Sequence, residues 1–157
     1  MLLAEALVLR SDQQKKLKEL GDRIDDNARV PKDAAPDEDP GALLEQAAAV
    51  ADELTRMVER INRTNAATVA DRATGRTISD LIAHRDHAQR MTQLYRDAAK
   101  AGTRPAGRRW LACDGDTPTA AVVDVAALQR QADEWAVRYR ELDVRLQQIN
   151  WATELME

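Results

Sequence analysis

The sequence contains no phenylalanine, and aromatic residues make up only 3% of its 157 positions. Alanine and leucine supply most of the apolar side chains instead, and small side chains let helices approach closely. Each buries little area, however, at roughly 25 cal/mol per Å² of apolar surface, so thin helices of this kind tend to need partners. One cysteine, Cys113, excludes an intramolecular disulfide and fits a reducing compartment. No stretch reaches the roughly 18–20 uncharged apolar residues of a membrane span. Residues 1–10 are apolar but carry Glu5 and lack a basic leader, so they do not read as a secretory signal. The expectation is a cytoplasmic protein with no membrane partner.

Chemistry-bearing motifs are scarce as well. There is no Gly-rich phosphate-cradling loop, no nucleophile elbow and no Glu-x-x-His spacing, so the sequence leans away from an enzyme and implies no cofactor. Charged residues reach 32% and the formal net charge is −4. An acidic balance disfavours nucleic acid, which needs clustered cationic surface. Arg104, Arg108 and Arg109 beside Trp110 form the one basic-aromatic cluster, read here as a loop salt-bridged to acidic residues.

What is present is helical periodicity. Leu3, Ala6, Leu7, Arg10, Gln13, Leu17, Leu20 and Ile24 recur at three- and four-residue steps and predict a first helix over about 2–24. Its stripe turns polar at Arg10 and Gln13, either a solvated stretch or a polar layer inside a bundle. Asp25, Asp26 and Asn27 close it. Residues 27–41 hold Pro31, Pro36 and Pro40 among acidic residues and form an extended connector. Asp39-Pro40 then pairs a good N-cap with a residue pre-set for the first helical position. Leu43, Ala47, Val50, Leu54, Met57 and Ile61 trace a heptad seam through a second helix over about 40–65.

Arg63 to Asn65 and Asp71 to Thr77, with Gly75, read as the next turn region. Ile78, Leu81, Ile82, Ala88, Met91, Leu94, Tyr95 and Ala98 mark a third helix to about 101, stopped by Gly102. Two short apolar runs around Asp114-Gly115 predict a β-hairpin within 107–123. A hairpin alone is marginal in water and must pack on something. Val125, Leu128, Ala132, Trp135, Tyr139, Leu142, Leu146 and Ile149 step without a miss through a last helix capped by Asp124. The sum is a mainly α fold in a single domain spanning 1–157: an antiparallel bundle of four long helices with a small β-hairpin before the last.

Three clusters are candidate sites. Asp80, His84 and His87 share a helix face and could present three ligands to a divalent metal, although a further carboxylate is required. The alternative is two solvent-facing histidines on an arginine-rich helix. Asn62, Arg63, Thr64 and Asn65 could bind an anion or a hydroxyl, or act in capping and inter-subunit hydrogen bonds. Asn150, Trp151 and Glu154 follow the last helix, and Trp151 so near the end suggests an anchor on another helix or subunit.

Residues 3–7 (Leu-Ala-Glu-Ala-Leu), Glu38-Asp39-Pro40 with Leu43-Leu44, Ile61-Asn62-Arg63-Thr64-Asn65, Glu141-Leu142-Asp143 and residues 150–155 (Asn-Trp-Ala-Thr-Glu-Leu) together resemble a known set. They are similar to a family of small bacterial, largely actinobacterial proteins labelled "septicolysin" or left without a function. The resemblance runs over essentially the whole chain and implies a helical fold and helix order. It carries no catalytic or binding residues across, and the histidine pair lies outside its pattern. The label itself implies a cytolysin. From the residues, the preferred expectation is a non-enzymatic, self-associating structural or scaffolding unit, a homo-oligomer with a coiled-coil seam. A small-ligand or metal-binding protein is the alternative.

Overall fold

A computed structural model describes residues 1–103 and 120–157. Among them are four long helices: α1 (Leu3–Asn27), α2 (Pro40–Ala67), α3 (Ile78–Thr103) and α4 (Val125–Ala152). A two-stranded antiparallel sheet, β1 (Val69–Asp71) and β2 (Arg76–Thr77), lies between α2 and α3. The hairpin predicted within 107–123 falls largely on 104–119, outside the described residues. Residues 120–123, which were to complete its second strand, are not in a strand.

The observed hairpin sits where only a turn was expected. The Asp71 carboxylate accepts from the Ala73 N–H at 3.0 Å and its carbonyl accepts from the Gly75 N–H at 2.8 Å. Gly75 has φ 70°, a left-handed conformation that glycine adopts without the Cβ penalty. The Thr68 carbonyl accepts from the Ile78 N–H at 3.0 Å, which ties the base of the hairpin to the start of α3. Residues 69–77 are short, polar and not alternating, so periodicity gave no strand signal there.

The described residues form two compact units: Met1–Ser79 with Gln147–Glu157, and Asp80–Leu146. In the first, α1 and α2 pack as an antiparallel pair. Leu20, Leu43 and Val50 make its buried cluster, with Leu17, Ile24 and Ala47 packed around them. The polar interruption of the α1 stripe becomes a polar layer. Gln13 Nε2 donates to Glu53 Oε2 at 3.4 Å, while Arg10 Nε and Gln13 Oε1 are buried without a hydrogen-bond partner.

The Pro-rich connector is ordered by its ends. Asn27 Nδ2 donates to the Arg23 carbonyl at 2.9 Å, and Asn27 Oδ1 accepts from the Glu38 N–H at 3.0 Å. Arg23 forms a two-pronged ion pair with Glu38. The Asp39 carboxylate accepts from the Gly41 N–H at 2.9 Å, the cap that its position before Pro40 predicted.

In the second unit α3 ends beside the start of α4. A Cβ on Gly102 would lie 2.8 Å from Cγ2 of both Val123 and Val125. Gly102 does not stop α3, which runs on to Thr103. Its lack of a side chain instead permits this close approach. Arg85 links the helices of this unit: it binds Asp86 at 2.8 Å and lies 3.6 Å from Asp143 of α4.

Candidate functional site

The first residues of the chain, the last turns of α2 and residues 153–157 converge in the first unit. Leu2 and Glu154 form an antiparallel β-bridge. The Leu3 N–H donates to the Thr153 carbonyl at 2.8 Å, and the Leu155 N–H donates to the Met1 carbonyl at 2.9 Å. The Leu2 N–H is taken by Glu5 Oε2 at 2.7 Å, closing the start of α1. From α2, Thr64 Oγ1 donates to the Arg60 carbonyl at 2.8 Å and accepts the Met156 N–H at 3.0 Å. Arg60 Nε donates to the Met156 carbonyl at 3.0 Å, and Arg63 donates to the Glu157 carbonyl. Leu155 is the buried side chain of this strap, while Glu154, Met156 and Glu157 face solvent.

Three of the candidate residues therefore meet here: Arg63, Thr64 and Glu154. Arg63 to Asn65 were read as a turn, yet α2 continues to Ala67 because nothing before Thr68 breaks it. Thr68, in an extended conformation, ends the helix. Thr64 is fully buried, and its place in the helix lets its hydroxyl bond one turn back and outward to the strap. Asn62 is exposed and Asn65 half-buried, and neither touches the strap through a described hydrogen bond. Asn150 is half-buried, whereas Trp151 is 60% exposed. Arg60 is a residue of this cluster that the sequence does not reveal; an arginine outside any motif gives no signal of a carbonyl partner 96 positions away.

The face of α4 read as a possible seam to a partner is occupied within the chain. Ala132 and Leu146 are buried, and Val125, Leu128, Trp135, Tyr139, Leu142 and Ile149 are half-buried. A second stripe of the same helix points outward: Val137, Val144 and Trp151, at seven-residue steps, are 42%, 55% and 60% exposed. Arg140, Glu141, Gln147 and Gln148, all exposed, fill the turns between them.

The two histidines have different surroundings. The His87 ring meets Trp135 edge-on at 5.2 Å between centroids, and Arg138 lies over the same Trp135 ring at 4.6 Å. His84 and Asp80 are exposed. Among the described residues, no group of three or more His, Cys, Asp or Glu side chains is disposed to hold a metal ion. Among the same residues, no helix is long and apolar enough to cross a membrane. Arg104, Arg108, Arg109, Trp110 and Cys113 lie outside the described residues.

One open groove of about 400 Å³ is lined by charged residues of α1, including Asp12, Lys15, Lys16 and Glu19, with Gln46 of α2 opposite. Lys15 is paired with Asp12 at 3.3 Å, and Arg23 at its edge with Glu38, so most of its cations are already matched. The hydrogen bond to Glu38 holds the Arg23 guanidinium above its ordinary value, and the same bond holds the Glu38 carboxyl below the usual carboxylate range. For Arg85, burial opposes the charged form, but the bond to Asp86 and the charges of Asp86 and Asp143 outweigh it and raise the value.

Residues 10–155 match a family of unknown function, DUF6847. The chain belongs to that family. The chain is also similar to a solved structure: a functionally unknown conserved protein from Corynebacterium diphtheriae is 33% identical, with 99% of each chain covered and a TM-score of 0.88. No curated protein gives a significant match. The helix order expected from the sequence is thus the order of a family fold whose function is open.

Proposed function

We propose that this chain is a non-enzymatic helical building unit that pairs with a second copy of itself through the outward stripe of α4. The observation that carries the reading is the spacing and exposure of Val137, Val144 and Trp151 on a helix whose other face is already packed. Apolar residues repeating every seven positions form the seam of two associating helices. The exposed ends of such a seam are costly to leave in water and serve as contact sites.

The charges between the apolar residues favour one arrangement. Antiparallel pairing centred on Val144 sets Val144 against its own copy and Val137 against Trp151. Arg140 and Glu141 then face Gln147 and Gln148, so no like charges meet across the seam. Trp151 supplies a large amphipathic anchor at each end of the seam, opposite Val137. The single cysteine favours a reducing, cytoplasmic setting for this unit. Sedimentation velocity over a range of concentrations tests the reading. A concentration-dependent dimer that Val144→Lys dissociates supports it; a folded wild-type monomer throughout the micromolar range overturns it.

The cytolysin activity implied by the "septicolysin" label has a separate test. Release of dye from liposomes at low protein concentration would favour it over the building-unit reading.

A further inference from the structure

Two polar atoms of the first unit are shut away from solvent with nothing bonded to them: Arg10 Nε and Gln13 Oε1. They sit on α1 between the half-buried Leu7 and Leu17, and Gln13 is bonded to Glu53 of α2. Buried polar groups in folded proteins are almost always matched, because a bare one carries the full cost of its lost hydration.

The Gln13 amide is oriented by its neighbour. A carboxylate offers only acceptors, so Nε2 turns toward Glu53 at 3.4 Å and Oε1 is left to point elsewhere. The two unmatched atoms are complementary: Arg10 Nε carries a hydrogen to give, and Gln13 Oε1 has lone pairs to fill. Three positions apart on a helix they share a face, yet they are not bonded to each other. Whatever joins them must accept from the first and donate to the second. An acceptor-only anion has no hydrogen for Gln13, and a metal cation cannot accept from Arg10. A hydroxyl of the size of water meets both needs and has the two polar partners that a buried water requires at least.

We propose that Arg10 and Gln13 hold a water molecule inside the α1–α2 pair, accepting from Arg10 Nε and donating to Gln13 Oε1. The polar interruption of the α1 stripe is then solvated from within, and the layer keeps its hydrogen bonds without the seam having to open.

NMR of the isotope-labelled full chain tests this at the atom concerned. The Arg10 Nε–H proton is expected to show cross-relaxation with water of opposite sign in the laboratory and rotating frames. That sign pattern marks a held molecule and separates it from hydrogen exchange. A proton that exchanges freely with bulk water overturns the proposal, because the site is then open. A protected proton without a water cross-peak also overturns it, because Arg10 is then bonded directly to protein. Gln13→Leu gives a second measurement, with folding checked by circular dichroism. Loss of the water cross-peak is expected, since the acceptor that holds the water is gone; its persistence in the folded variant overturns the proposal. The measurement on the parent chain decides alone if Gln13→Leu does not fold.

Discussion

The Met156 N–H donates to the hydroxyl of Thr64 at 3.0 Å, across 92 positions of sequence. The same hydroxyl donates to the Arg60 carbonyl at 2.8 Å, so a fully buried side chain is satisfied as donor and acceptor at once. Thr64→Val keeps the shape and removes both bonds. The expected loss is about 0.5–1.5 kcal/mol, the net contribution of a typical intramolecular hydrogen bond, since the half-exposed Met156 N–H can turn to water. Urea denaturation measures it. Native-state hydrogen exchange locates it: amide exchange at Met156 quickens in Thr64→Val and stays slow in Thr64→Ser.

Leu20 is 2% exposed and shares its cluster with Leu43 and Val50, whereas Leu44 on the neighbouring position is 56% exposed. Leu20→Ala is expected to cost about 2–5 kcal/mol through lost transfer energy and a residual cavity. Leu44→Ala is expected to stay within about 0.5 kcal/mol of the parent, as for exposed sites generally. Thermal unfolding of the pair checks both.

Two helical glycines should respond in opposite senses to alanine. A Cβ on Gly21 meets nothing within 4 Å, so Gly21→Ala is expected to stabilise by about 1 kcal/mol through helix propensity. A Cβ on Gly102 meets two valine methyls at 2.8 Å, so Gly102→Ala is expected to destabilise by about 1–3 kcal/mol through overpacking. Equal signs in calorimetry would contradict this account.

Glu38, bonded to Arg23, titrates below the usual carboxylate range in the folded chain. A depressed folded value means the unfolded chain binds the proton first as pH falls. The contribution of the pair is therefore complete above the ordinary carboxylate range and is lost as pH drops through the depressed value. Stability measured from neutral pH down into the acid range should fall less steeply in Glu38→Gln than in the parent. The two exposed side chains make this a small, salt-sensitive effect.

Much of the fold could be read from the sequence because its helices are amphipathic. The seam Leu43, Ala47, Val50, Leu54, Met57 and Ile61 is buried or half-buried along its length, and Asp39-Pro40 starts the helix that carries it. What periodicity could not show was set by contacts far apart in sequence. The strap at 153–157 is five residues without a repeat, and Thr64, Arg60 and Arg63 find it only when the ends of the first unit meet. The inward and outward faces of α4 were also ambiguous. Both repeat every seven residues, and only burial separates Leu142 and Ile149 from Val144 and Trp151.

The Leu2–Glu154 bridge also constrains the order of folding events. The compact unit that contains α1 and α2 includes residues 147–157, so the start of the chain gains its last partners from a distant segment. Joining points this far apart carries one of the larger loop-closure entropies available to the molecule. During synthesis α1 and α2 can pair early through Leu20, Leu43 and Val50. Their far end, around Leu3 and Thr64, waits for residues made at least 80 positions later, counted from Thr64 to Gln147. A nascent helical hairpin with one open end would thus persist until α4 is complete.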